Sequence, residues 1–177
     1  MTRVHTIGHS DHPAGVFRDH LEAAGIATCV DVRRWPGSRR HPHFDRGPLD
    51  ASLSAVGIRY LWLGEGLGGL REPSLPVERS QNRALRDPAL RAYADGFSGR
   101  AFLEALASLE REVRSAATAV MCAERDWRRC HRQLLADVLV ARGFEVVHWL
   151  DAQRSELHRP NPWSRVDGDK VTYPGLL

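Results

Sequence analysis

Five short apolar runs, separated by stretches with helical spacing, confine this 177-residue chain to few architectures. The runs are Val4–Ile7, Ala27–Val32, Arg59–Leu63, Thr118–Cys122 and Glu145–Leu150. Each is partly β-branched and bounded by Gly, Pro or charge, the pattern of buried strands. Between them, Val16–Ala24 places Val16, Phe17, Leu21 and Ala24 on one helical face, with Gly25 as its stop. Leu49–Val56 predicts a shorter helix ended by Gly57. Ala101–Val113 carries Phe102, Leu103, Leu106 and Leu109 at helical spacing; Cys130–Ala141 carries Leu134, Leu135, Val138 and Leu139. Strand–helix alternation implies parallel pairing with right-handed crossovers. The expected fold is a single α/β domain over residues 1–150, with a mainly parallel sheet of about five strands flanked by helices. Residues 151–177, rich in Pro, Ser and charge, read as an irregular C-terminal extension that wraps the surface or frays. Gly64–Gly99 interrupts the alternation with several glycines and prolines and reads as a long loop with one or two short helices.

The length suits one domain with a proper core. The N-terminal residues lack the apolar stretch of a signal peptide, and no run approaches a membrane span. The expected location is the cytoplasm, without membrane association. Cys29, Cys122 and Cys130 are too few for a disulfide framework. The formal charge is only +3, which argues against broad nucleic-acid coating. Its basic part is nearly all arginine, the side chain that grips carboxylate and phosphate with a planar fork, so an anionic ligand is expected.

Polar residues cluster where the strands end. Gly8, His9 and Ser10 follow the first run; Asp31, Arg33, Arg34, Ser38, Arg39 and Arg40 close the second. Glu65, Gly68, Gly69 and Arg71 follow the third; Glu124, Arg125, Asp126, Cys130, His131 and Arg132 follow the fourth. His148 and Asp151 accompany the fifth. In a parallel sheet these points share one rim, where open α/β sheets bind ligands. Asp31, Glu124, Cys130 and His131 are the catalytic candidates. His9, Ser10, Arg33, Ser38, Arg39, Gly68, Gly69, Arg71 and Arg132 are the ligand-binding candidates.

Asp126 is expected to cap the helix that follows it, with Cys130 in the first turn, where the helix dipole and His131 favour a thiolate. The alternative makes Cys130 a packing residue and Cys122 a buried strand end. Cys122 and Arg128 also fit the C-x5-R spacing of a phosphatase loop, but its glycines are missing and Glu124 and Asp126 would repel phosphate. Cys122, Cys130 and His131 could bind a metal with His9 or His148 as fourth ligand; the C-x7-C-H spacing matches no common zinc pattern, so no metal is assigned. Asp31 and Glu124 could divide acid and base roles, or Asp31 could form a structural ion pair. Trp35, Phe44 and Trp62 could stack a base or roof the core. A nucleophile elbow, a Walker A loop and a strand-borne G-x-G-x-x-G are all absent, and no motif names a cofactor.

The blocks TIGHS, DVRRWPGSRRHPHF, LGGLR and MCAERDWRRCHR together resemble the signature blocks of the DUF488 family. Trp127 stands where the resemblance implies proline. The resemblance spans Thr6 to about His148 and supports the fold and the site; it implies no reaction. The expected function is an enzyme acting on a small anionic substrate, a nucleotide or nucleic-acid component, at the rim. The competing readings are a non-catalytic ligand-binding module and a nucleic-acid-associated protein.

Overall fold

The computed structural model describes residues 2–175. Its main sheet has six strands in the order β3-β2-β4-β1-β5-β6. These are β1 (Arg3–Gly8), β2 (Thr28–Asp31), β3 (Arg59–Trp62), β4 (Thr118–Cys122), β5 (Glu145–Trp149) and β6 (Ser155–Leu157). The first five run parallel and β6 pairs antiparallel to β5. The fold is thus the mainly parallel α/β domain that the alternation predicts, and each of the five strands lies within its predicted run to one residue.

Period-two alternation sorts the side chains between two cores. Ile7, Cys29, Ala119 and Met121 face α1 (Ala14–Ala23) and α2 (Arg46–Ser54), meeting Phe17, Leu21, Leu49 and Leu53. Val4, Val30, Val120 and Val146 face the other way, against Phe102, Leu106, Leu134 and Leu135. The segment 64–99 holds two short helices, α3 (Gly64–Leu67) and α4 (Pro88–Asp95), ahead of α5 (Arg100–Ser115).

Two local expectations change. The helix predicted over Cys130–Ala141 is α6, Arg132–Ala141, with His131 as its N-cap. Asp126 does not cap α6. Its carboxylate accepts from Arg128 N at 3.0 Å and caps a 3-10 turn, Trp127–Arg129, that intervenes. Cys130 therefore precedes the helix instead of occupying its first turn. The residues after Asp151 are also more regular than their composition suggests. They supply β6 and a hairpin, β7 (Arg165–Asp167) and β8 (Lys170–Thr172). Tyr173, fully buried, donates its hydroxyl to Asp137 of α6 at 2.7 Å. Asp137 also takes His158 Nε2 at 2.8 Å and Asn161 N at 3.0 Å, so one carboxylate ties the tail to the helix. Among the described residues no helix is long and apolar enough to cross a membrane.

Candidate functional site

Strands β1, β2 and β4 end side by side: Gly8 is level with Cys122, and Asp31 with Met121. Beyond them the chain stays tied, with His9 N donating to Cys122 O at 2.8 Å and Ser10 N to Ala123 O at 2.9 Å. Gly8 permits this approach, because a Cβ there would lie 2.0 Å from the Glu124 carbonyl oxygen. The rim opens into a cavity of about 770 Å³, within the usual size of small-ligand sites. Ser10 (φ 48°) and Leu70 (φ 55°), the non-glycine residues with left-handed backbone among those described, both line it. Such strain gathers at ligand sites.

Of the residues expected there, His9, Ser10, Arg33, Ser38, Gly69, Glu124, Cys130 and His131 line the cavity. Asp31, Arg39, Gly68, Arg71 and Arg132 do not. Asp31 is fully buried behind Arg33. Its carboxylate accepts from Arg33 Nη2 at 2.7 Å and from the Tyr60 hydroxyl at 2.7 Å. Arg33 also donates to Phe44 O at 2.7 Å and meets His9 Nε2 at 3.2 Å, so its guanidinium is largely committed to the protein. Arg71 turns inward to the carbonyls of Gly66 and Gly68 and lies over the Tyr93 ring. Gly68 is packed against Gly64 and Arg34, and Arg39 faces solvent. Asp31, Gly68 and Arg71 thus brace the loops around the cavity.

Other arginines take the wall. Arg34, Arg40, Arg125 and Arg129 line it with Arg33, against the carboxylates of Asp11, Asp87 and Glu124. Trp35 is 72% exposed at the edge, with Arg34 5.8 Å from its ring centre. Arg34, Arg40, Arg125 and Arg129 sit in the same sequence blocks as Arg33, Arg39 and Arg132, but nothing in spacing says which member of an arginine pair turns inward. Tyr60 carried no signal.

The floor is a sulfur–imidazole cluster. Cys122 ends β4, Cys130 closes the 3-10 turn, and His131 opens α6; all three are buried yet border the cavity. Their donor atoms lie within 4.8 Å of one another. Cys130 Sγ is 3.6 Å from His131 Nδ1. The Cys122 thiol donates toward Cys130, which pushes the Cys130 thiol well below its ordinary range; His131 and Arg132 act in the same direction against burial. The same hydrogen bond, with burial, pushes Cys122 up. Of the two sulfurs, Cys130 is the one whose surroundings favour the thiolate. Arg132, almost completely buried, donates to the Glu124 carbonyl, and its Nε and Nη1 have no partners among the described residues. Cys29, buried in the sheet, is pushed up by burial and by Asp31 and stays a thiol.

His9 stacks on Phe44 and is held neutral, pushed down to about 4 chiefly by burial, with Arg33 acting in the same direction. His148 is also neutral, pushed down to about 2 by burial and by His158. It sits under Trp127, ring centroids 3.9 Å apart, between Thr6 and His158. Both histidines once available as a fourth metal ligand are thus engaged elsewhere.

A family model described as "Domain of unknown function DUF488" matches residues 14–139. No curated protein matches the chain, and no solved structure does.

Proposed function

The chain belongs to the DUF488 family, and we propose that it is an enzyme acting on a small anionic substrate, of the nucleotide class, in the rim cavity. The observation that carries this reading is the meeting of a cysteine–histidine cluster, Cys130 Sγ 3.6 Å from His131 Nδ1, with an arginine-rich wall. Cys130 and His131 form the reactive floor, while Arg34, Arg40, Arg125 and Arg129 offer forked donors to phosphate or carboxylate. Trp35 offers an exposed face on which a base can stack. Glu124, exposed at the cavity edge, is the carboxylate free to move protons; Asp31 acts as a positioning residue for Arg33.

The test is turnover of a panel of nucleoside phosphates by the reduced protein, followed by chromatography of the products. Cys130→Ser is expected to abolish turnover and Arg40→Ala to weaken binding by ~1.5–3 kcal/mol, the range for hydrogen bonds to charged groups. Undiminished turnover in Cys130→Ser would remove the floor from the chemistry. A nucleic-acid-associated role, which the Arg34–Trp35 edge also suits, would show instead as single-stranded DNA binding that weakens steeply with salt.

A further inference from the structure

We propose that Cys122, Cys130 and His131 hold one zinc-type divalent cation whose fourth coordination position opens into the rim cavity. This rests on the reading of that cavity as the reactive site and specifies its chemistry. Zinc takes cysteine sulfur at about 2.3 Å and histidine nitrogen at about 2.0–2.1 Å in tetrahedral geometry. Those bond lengths imply a sulfur–nitrogen edge of about 3.5–3.6 Å and a sulfur–sulfur edge of about 3.8 Å. The Cys130 Sγ–His131 Nδ1 separation, 3.6 Å, already has the required length. All three donor atoms fall within 4.8 Å, so modest contraction completes the face. Two thiolates and an imidazole form a set that suits zinc.

The surroundings agree. Each ligand stands on a fixed point: the end of β4, held level with Gly8; the close of the 3-10 turn, where Cys130 N donates to Trp127 O; and the N-cap of α6. Gly69 leaves the imidazole nitrogen clear, since a Cβ there would lie 2.6 Å from His131 Nδ1. His9 and His148, the neighbouring imidazoles, are spent on Arg33 and on the Thr6–His158 chain, and neither can close the shell. Three protein ligands beside a cavity are the mark of a catalytic site, where closed four-ligand sets are structural. The open position would take water or an oxygen of the anionic ligand. Among the described residues His131 Nε2 has no acceptor, so the imidazole lacks the outer hydrogen bond that usually tightens such sites. The cation should therefore yield to chelators more readily than one in a closed site.

The experiment is cobalt titration of the reduced, chelator-stripped full chain. One equivalent is expected to bind with sulfur-to-cobalt charge-transfer absorption and the intense visible bands of a tetrahedral ion, and zinc should displace it. Cys122→Ser and His131→Ala should each weaken cobalt binding roughly tenfold or more. Cys29→Ala, which alters a sulfur in the opposite core, should leave the spectrum unchanged; circular dichroism identifies any variant that has not folded. Absence of thiolate–cobalt absorption in the folded wild-type protein overturns the proposal, and so does a spectrum that depends on Cys29. If cobalt fails to bind while Cys130→Ser still abolishes nucleotide turnover, the metal is excluded and the reactive floor stands. If cobalt binds as described and no nucleotide is turned over, the metal site stands and the substrate reading falls.

Discussion

Gly8 and Arg33 show how single residues set the rim. Adding a methyl group at Gly8 would drive the chain at Glu124 away from the β1 end, because the atom in the way is a backbone oxygen, not a flexible side chain. Gly8→Ala is expected to cost ~1–3 kcal/mol, the usual range for overpacking, read as a lower urea midpoint at unchanged slope. Arg33→Ala strips the partner from a fully buried carboxylate. Breaking such a pair from one side costs roughly 3–5 kcal/mol, so this variant should be grossly destabilised, with a large drop in melting temperature. A variant as stable as wild type would show that the buried Asp31–Arg33 pair adds nothing net to stability. The Asp31-x-Arg33 spacing was visible in the sequence, as was the choice between ion pair and catalysis. The deciding residue, Tyr60, lies on the neighbouring strand and could not be found by any local pattern, because pairing register is a tertiary fact.

Among elements, strands were more legible than helix starts. Short β-branched runs bounded by turn residues mark themselves, whereas Asp126 is an equally good cap for a 3-10 turn or a helix. That ambiguity moved Cys130 out of α6 by two residues, and the thiol depends on Cys122 and His131 instead of the helix terminus. The tail was misleading for a different reason: its composition is that of a loop, but its order comes from an anchor elsewhere, Asp137, a lone acid inside the apolar stretch of α6. Tyr173→Phe removes one of the three donors to that carboxylate and should cost about 1–3 kcal/mol, with faster amide exchange through β7 and β8. Unchanged exchange there would mean that the hairpin is held by its own pairing.

For the molecule as a whole, buried neutral histidines set the response to acid. Burial pushes the His9 and His148 imidazoles down from the ordinary 6.5, to about 4 and about 2 in the folded protein. Above about pH 6.5 neither state binds the protons, and the contribution to stability is complete. As pH falls, the unfolded chain takes up protons that the folded chain refuses, so stability declines toward pH 4 for His9 and lower still for His148. The urea midpoint should therefore be lower at about pH 5 than at neutral pH, with a shallower fall in His148→Gln. Equal wild-type midpoints would argue that these imidazoles are reached by water. Finally, β1, the first strand of the chain, lies between β4 and β5. During synthesis it has no strand to join until Thr118–Cys122 has left the ribosome, and its second neighbour follows only with Glu145–Trp149. Until then only β2 and β3 can pair. Such distant partners slow folding and leave the nascent chain with apolar edges open. This protein should depend on chaperones during synthesis more than its modest length suggests.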